Sequence, residues 1–157
     1  MVAALHLNVA EVSVTSLEAV AVVDPNRLDD DSPHKQLAAV GVAFLLAVGV
    51  NRALRAAGWY AAEGAASARR EPDLRQWLDL VALGTVCDVV PLTGVNRALV
   101  RQGLAVMAQR GNAGLAALAD MARLKEPPGA YHLGFMLGPR VNAGGRVGEA
   151  AFGARLL

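Results

Sequence analysis

Cysteine is nearly absent from these 157 residues: Cys87 is the one example. A single thiol excludes an internal disulfide framework and fits a reducing compartment, so a cytoplasmic location is expected. An excess of either charge is missing too. Lys and Arg number 15 against 14 Asp and Glu, for a net charge of +1. The whole chain is therefore no polycation, and any nucleic-acid site must be a local cluster. The opening MVAALHLNVAEVS lacks a basic n-region and a long apolar core, which speaks against a signal peptide. The longest uncharged run, Gln36–Asn51, is a little short for a bilayer span and contains Gly41 and Gly49. It reads as a core helix, and no membrane partner is expected. The final EAAFGARLL has no capping glycine or polar tail. Both ends are therefore expected to be cut points in a longer domain.

What is present is a core-rich composition, 54% apolar, enough for one folded domain. Ala19–Val23 is a short Val-rich run stopped by Asp24-Pro25-Asn26, the pattern of a buried strand and a turn. Asp29, Asp30 and Asp31 follow. They fit either a metal site or, more commonly, a solvated loop into a helix begun by Ser32 and Pro33. Leu37–Ala57 reads as a long helix, apolar nearly all round and so buried, with Gly58 ending it. Trp59–Glu71 reads as a surface loop. Val95–Gln109 is an amphipathic helix stopped by Gly111, and Leu115–Leu124 is a shorter one. Tyr131–Leu137 is a third, halted at Gly138-Pro139. One strand beside about six helices cannot satisfy its own backbone. The fold class expected is therefore α/β, mostly helical in this chain, with a parallel sheet largely supplied from elsewhere.

Two stretches carry chemistry. In Arg75–Arg97, RQWLDLVALGTVCDVVPLTGVNR, apolar residues at Leu74, Trp77, Leu78, Val81 and Ala82 recur at helical spacing. The apolar run then meets Asp88, and Pro91 ends the helix. A carboxylate delivered into apolar surroundings either holds a metal or is paired, with Arg97 the candidate partner, or caps a loop. The neighbouring Cys87 reads as a small buried hydrophobe. In Gly138–Arg146, GPRVNAGGR, Arg140 and Arg146 can grip phosphate, and Asn142 can bond a base, sugar or phosphate. Gly144 and Gly145 allow close backbone approach, and a helix over Val147–Leu157 would add its N-terminus. The plainer alternative is an inter-helix loop with two surface arginines. His34 and His132 read as exposed or locally bonded.

LVALGTVCDVVPLTGVNRALV and YHLGFMLGPRVNAGGRVGEA, with VVDPNRLDD and KQLAAVGVAF before them, resemble the DHH phosphoesterase superfamily. Within it they are most similar to the exonucleases specific for single-stranded DNA, over the span from about Ala19 to the last residue. The resemblance implies that Asp88 is a metal ligand and that Arg140, Asn142 and Arg146, with Gly144 and Gly145, contact a DNA strand. It implies two Mn²⁺ or Mg²⁺ ions activating water, and 5′→3′ degradation of single strands in repair and recombination. The chain departs from the family's pattern. The early D-x-D motif is absent, and where the Asp-His-His doublet should fall stand Leu5, His6, Leu7 and Asn8. One carboxylate cannot hold two ions. The expectation is the later half of a catalytic domain, inactive alone, its exposed apolar faces covered by the missing remainder or by self-association. The alternative is a degenerate module that binds single-stranded nucleic acid without cutting it.

Overall fold

A computed structural model describes residues 23–60, 70–147 and 152–157, and within its helices the side chains of residues 144–147 and 152 lie outside the description. The described residues are helical and contain no strand. Four of the five residues of the expected strand, 19–22, lie outside them, and Val23 is irregular.

Helix α1 spans Ala39–Ala56, close to the expected bounds, and Gly58 follows it at a φ of +69°. Its surroundings differ from expectation. Only Gly41, Val42 and Asn51 are buried, while Leu45, Val48 and Val50 are exposed. All-round apolarity states that a helix needs cover, and the described residues cover only one edge of it. By length and composition alone this 18-residue helix could cross a membrane. At its end, Asn51 Nδ2 donates to Glu71 at 2.9 Å and Tyr60 donates to Asn51 at 2.6 Å. Arg55 pairs with Glu71 as well, and its guanidinium holds that carboxyl below the usual range.

The second stretch begins with a 3₁₀ turn, Leu74–Trp77, just after Pro72. Asp73 caps it, accepting the Arg75 amide at 3.1 Å. Helix α2, Leu78–Cys87, continues from it and is the centre of the packing. Its Leu78, Val81, Ala82 and Leu83 are buried. Helix α3, Gly94–Met107, lies along it. The two meet at Gly103, where an added Cβ would sit 2.0 Å from the Leu78 carbonyl oxygen. No side chain fits there, which is why the two backbones can approach so closely.

Arg110, at a φ of +56°, turns the chain after α3. Asn112 then caps α4, Ala113–Met121, by accepting the Leu115 amide at 3.0 Å. Leu115 and Leu118 join Ala82, Leu83, Met107, Leu133 and Leu137 in one core.

After Pro127 and Pro128 the chain does not form a helix that stops at Gly138-Pro139. It runs as α5, Ala130–His132, a π turn, Leu133–Leu137, and α6, Gly138–Val147. The Gly138 amide reaches back five residues to the Leu133 carbonyl. A proline inside an α-helix lacks one donor and crowds the carbonyl four residues back. The wider π turn just before Pro139 lets the helix continue through it. A short helix α7, Phe152–Leu156, follows.

Candidate nucleic-acid and metal-binding site

Asp88 stands one residue beyond α2, with its amide bonded to the Gly84 carbonyl at 2.9 Å. The expectation of apolar surroundings is corrected: Asp88 is exposed. Helix α2 ends at Cys87, so the buried face stops one residue short of the carboxylate. Among the described residues Asp88 makes no ion pair, and Arg97 is not its partner. A carboxylate at the C-terminal end of a helix faces the negative pole of the helix dipole, an unfavourable place for an anion without a cation. Val89, next in the chain, has a φ of +57°. For a β-branched residue this is strained, on the order of 1–3 kcal/mol, and such strain tends to gather at functional positions.

Cys87 is the hinge between the two motif stretches. Its thiol lies 3.9 Å from the Leu133 carbonyl oxygen, and a Cβ on Gly138 would fall 2.4 Å from its sulfur. Burial, and secondarily the charge of Asp88, pushes the thiol's pKa up, so Cys87 is a poor nucleophile and acts as packing. The structure thus seats the end of α2, with Asp88 attached, against the start of α6.

The GPRVNAGGR segment is helical, which corrects the reading of a glycine-rich loop ahead of a helix N-terminus over Val147–Leu157. Gly138 serves helix packing. Gly144 and Gly145 lie inside α6, where they cannot form a loop cradle. Arg140 and Asn142 are exposed on α6, and the Arg140 guanidinium donates to the Met136 carbonyl. Arg146 lies one turn beyond Asn142 in the same helix. His132 is locally satisfied, as read from sequence: its Nδ1 accepts the Gly129 amide at 3.0 Å and its Nε2 lies 3.2 Å from Glu126. His6 lies outside the described residues.

Three residues of these stretches gain roles that spacing did not reveal. Asn96 is buried and donates to the carbonyls of Gln36 at 2.7 Å and Pro91 at 3.1 Å, tying α3 to the approach into α1. Thr85 is fully buried, and its hydroxyl has no partner among the described residues. Asp79 is buried in the first turn of α2, accepts the Leu80 amide at 2.7 Å, and lines a cavity of about 550 Å³ with Asp73, Arg75 and Trp77. Burial raises its pKa. The signal for Asn96 was a polar residue on the apolar face of an otherwise regular helix.

Among the described residues no three His, Cys, Asp or Glu side chains converge on one point. Asp88 is a suitable hard oxygen donor for Mn²⁺ or Mg²⁺, but it is one ligand where such ions take about six. The described residues therefore fit as a contributor to a metal centre and do not make one by themselves.

Over nearly all its length the chain is similar to exonucleases that act on single-stranded DNA. The particular relative is RecJ. The chain is 46% identical to RecJ of Dickeya dadantii (strain 3937) over 141 residues, covering 88% of this chain and 24% of that protein. It is 44% identical to RecJ of Escherichia coli (strain K12), with the same coverage of both, and 34% identical to RecJ of Bacillus subtilis (strain 168), covering 87% and 15%. A solved structure of exonuclease RecJ bound to manganese superposes with a TM-score of 0.68 at 36% identity, covering 87% of this chain and 30% of that one. No family model matches. The chain thus corresponds to part of RecJ, and spans about a quarter of the length of the first curated relatives it matches.

Proposed function

We propose that this chain is the later half of a DHH-type α/β catalytic domain, belonging to a cytoplasmic 5′→3′ exonuclease for single-stranded DNA in repair and recombination. In this reading α1 packs on a parallel sheet supplied by the rest of that domain. Asp88 gives one ligand to a pair of Mn²⁺ or Mg²⁺ ions, which when bound supply the activated water. Arg140, Asn142 and Arg146, on one helix, hold the strand by its phosphates and sugars. Gly144 and Gly145 keep that helix surface low enough for a backbone to approach.

The observation that carries the reading is the placement of Asp88. It is an exposed carboxylate, without an ion-pair partner among the described residues, at the negative end of α2, one residue from the contact between Cys87 and Gly138. A cation bound there relieves the clash with the helix dipole and lies beside the helix that grips the strand. The manganese in the solved RecJ structure supports the choice of ion.

The test is digestion of a 5′-phosphorylated single strand in Mn²⁺. The chain alone is expected to bind the strand and leave it intact. In a full-length protein carrying this segment, Asp88→Ala is expected to abolish cleavage and retain binding. Unchanged turnover in that variant would remove Asp88 from the ligand set. Digestion by the isolated chain would show that enough ligands lie within these residues. Binding without cleavage even at full length would favour the degenerate binding module.

A further inference from the structure

The helical run over residues 130–147 contains no Asp or Glu. Its Leu133 and Leu137 are fully buried in the core, so the opposite face looks outward. On that face Tyr131 is 66% exposed and Phe135 72% exposed. Their rings are stacked on each other, with centroids 5.1 Å apart and planes inclined by 29°. Pro139, Arg140, Asn142 and Ala143 are exposed farther along. Positions 131, 135, 139, 142 and 146 are three or four residues apart, the spacing of one helix face, and exposed Arg140, next after 139, stands about a quarter-turn to the side of it. A pair of large rings left in water is unusual on a surface unless it meets something.

We propose that Tyr131 and Phe135 are a base-stacking step for a single-stranded nucleic acid whose phosphates follow Arg140 and Arg146 along the same helix. This rests on the strand-binding reading above and adds to it a part that recognises bases. Every base offers a π face, so stacking holds a strand without regard to sequence, and arginines beside the rings hold the backbone. The rings are already stacked, with planes within 29° of each other, so an incoming base extends a stack that exists. The lack of any carboxylate on this run suits a polyanion. A strand is therefore favoured over the two other possible occupants, the remainder of a longer protein and a second copy of this chain.

The test is equilibrium binding of this chain to an oligothymidylate of about 12 nucleotides, within the range that one such surface covers. An abasic deoxyribose-phosphate strand of the same length serves as reference, with the same charge and no bases. The chain is expected to prefer thymidylate by about ten-fold or more. Tyr131→Ala with Phe135→Ala should erase that preference and leave abasic binding unchanged, whereas Phe135→Trp should keep it. Arg140→Ala should weaken binding of both strands alike and reduce the salt dependence by about one unit of slope. No preference in the parent chain, or a preference that survives the double variant, overturns the stacking proposal. Loss of preference in the double variant, with Arg140→Ala and Arg146→Ala both silent, upholds stacking and overturns the arginine grip. Failure to bind either strand overturns both. An unchanged preference accompanied by a shift from dimer to monomer in the double variant assigns the rings to a second copy.

Discussion

Helices α1 and α2 are both strongly apolar, and the structure treats them oppositely. Six of the ten residues of α2 are buried, against three of the eighteen in α1. Helix α2 has α3 on one side and the π turn and α6 on another. Helix α1 touches it where Val40 meets Gly84, among other contacts. Beyond that contact, Leu45, Leu46 and Val50 line an open groove of about 450 Å³ with Val23 and Leu37. Composition states how much cover a helix needs, and only packing reveals whether the cover is present. Among the described residues α2 is enclosed by its neighbours, and one face of α1 is left open.

The comparison can be broken hardest at Gly103. In Gly103→Ala the new methyl would meet backbone, the Leu78 carbonyl, at 2.0 Å, and Ala82 Cβ at 2.5 Å. Backbone cannot step aside as a flexible side chain can, so α2 and α3 must separate. The expected loss is about 3 kcal/mol or more, read by thermal or urea unfolding. A loss below about 1 kcal/mol would show that the interface between α2 and α3 is looser than described.

The contrast between the two helices sharpens with a matched pair of truncations. Leu133→Ala empties a site with no solvent exposure and is expected to cost about 2–5 kcal/mol. Leu45→Ser with Val48→Ser, on the exposed face of α1, is expected to change stability by less than about 1 kcal/mol. That pair should also shift the chain from self-associated species to monomer in sedimentation, because the unpartnered face is what drives association. A parent chain that is already monomeric would remove the association argument, and a large loss of stability would show α1 to be covered.

Helix positions were legible in the sequence, because apolar spacing over Val95–Gln109 or Leu37–Ala57 depends on neighbours along the chain. Two features were not legible. The GPRVNAGGR segment reads as a loop because glycine and proline are breakers, yet the π turn at Leu133–Leu137 carries the helix through them. The decisive fact there is tertiary: Gly138 is needed for contact with Cys87, 51 positions away in sequence. Asp88 reads as buried because the residues before it are apolar, yet α2 stops at Cys87 and turns it outward. The pattern singled out the carboxylate and the arginines, and the structure puts Asp88 at the end of α2 against the start of α6, with Arg140 in the first turn of that helix and Arg146 near its far end.

The finest distinction lies within the cavity lined by Asp73 and Asp79, two carboxyls only six residues apart with opposite shifts. The Arg75 guanidinium and amide hold exposed Asp73 down at about 2. Burial pushes Asp79 above its ordinary value of 3.8. An acid lowered on folding binds its proton more weakly in the native state, so Asp73 contributes stability above about 3.8 that is lost as pH falls towards 2. An acid raised on folding does the reverse. Asp79 contributes stability while protonated, and that contribution is lost as pH rises from 3.8 through its elevated native value. The two windows meet at the ordinary carboxyl pKa and do not overlap, so each variant should alter one limb of the stability curve. Asp73→Asn is expected to flatten the acid limb below pH 3.8. Asp79→Asn is expected to remove the decline above it, so that this variant gains on the parent as pH rises from 4 towards 7. Melting curves for parent and variant that run parallel over that upper range would mean that Asp79 ionises without cost, through water or a cation entering the cavity.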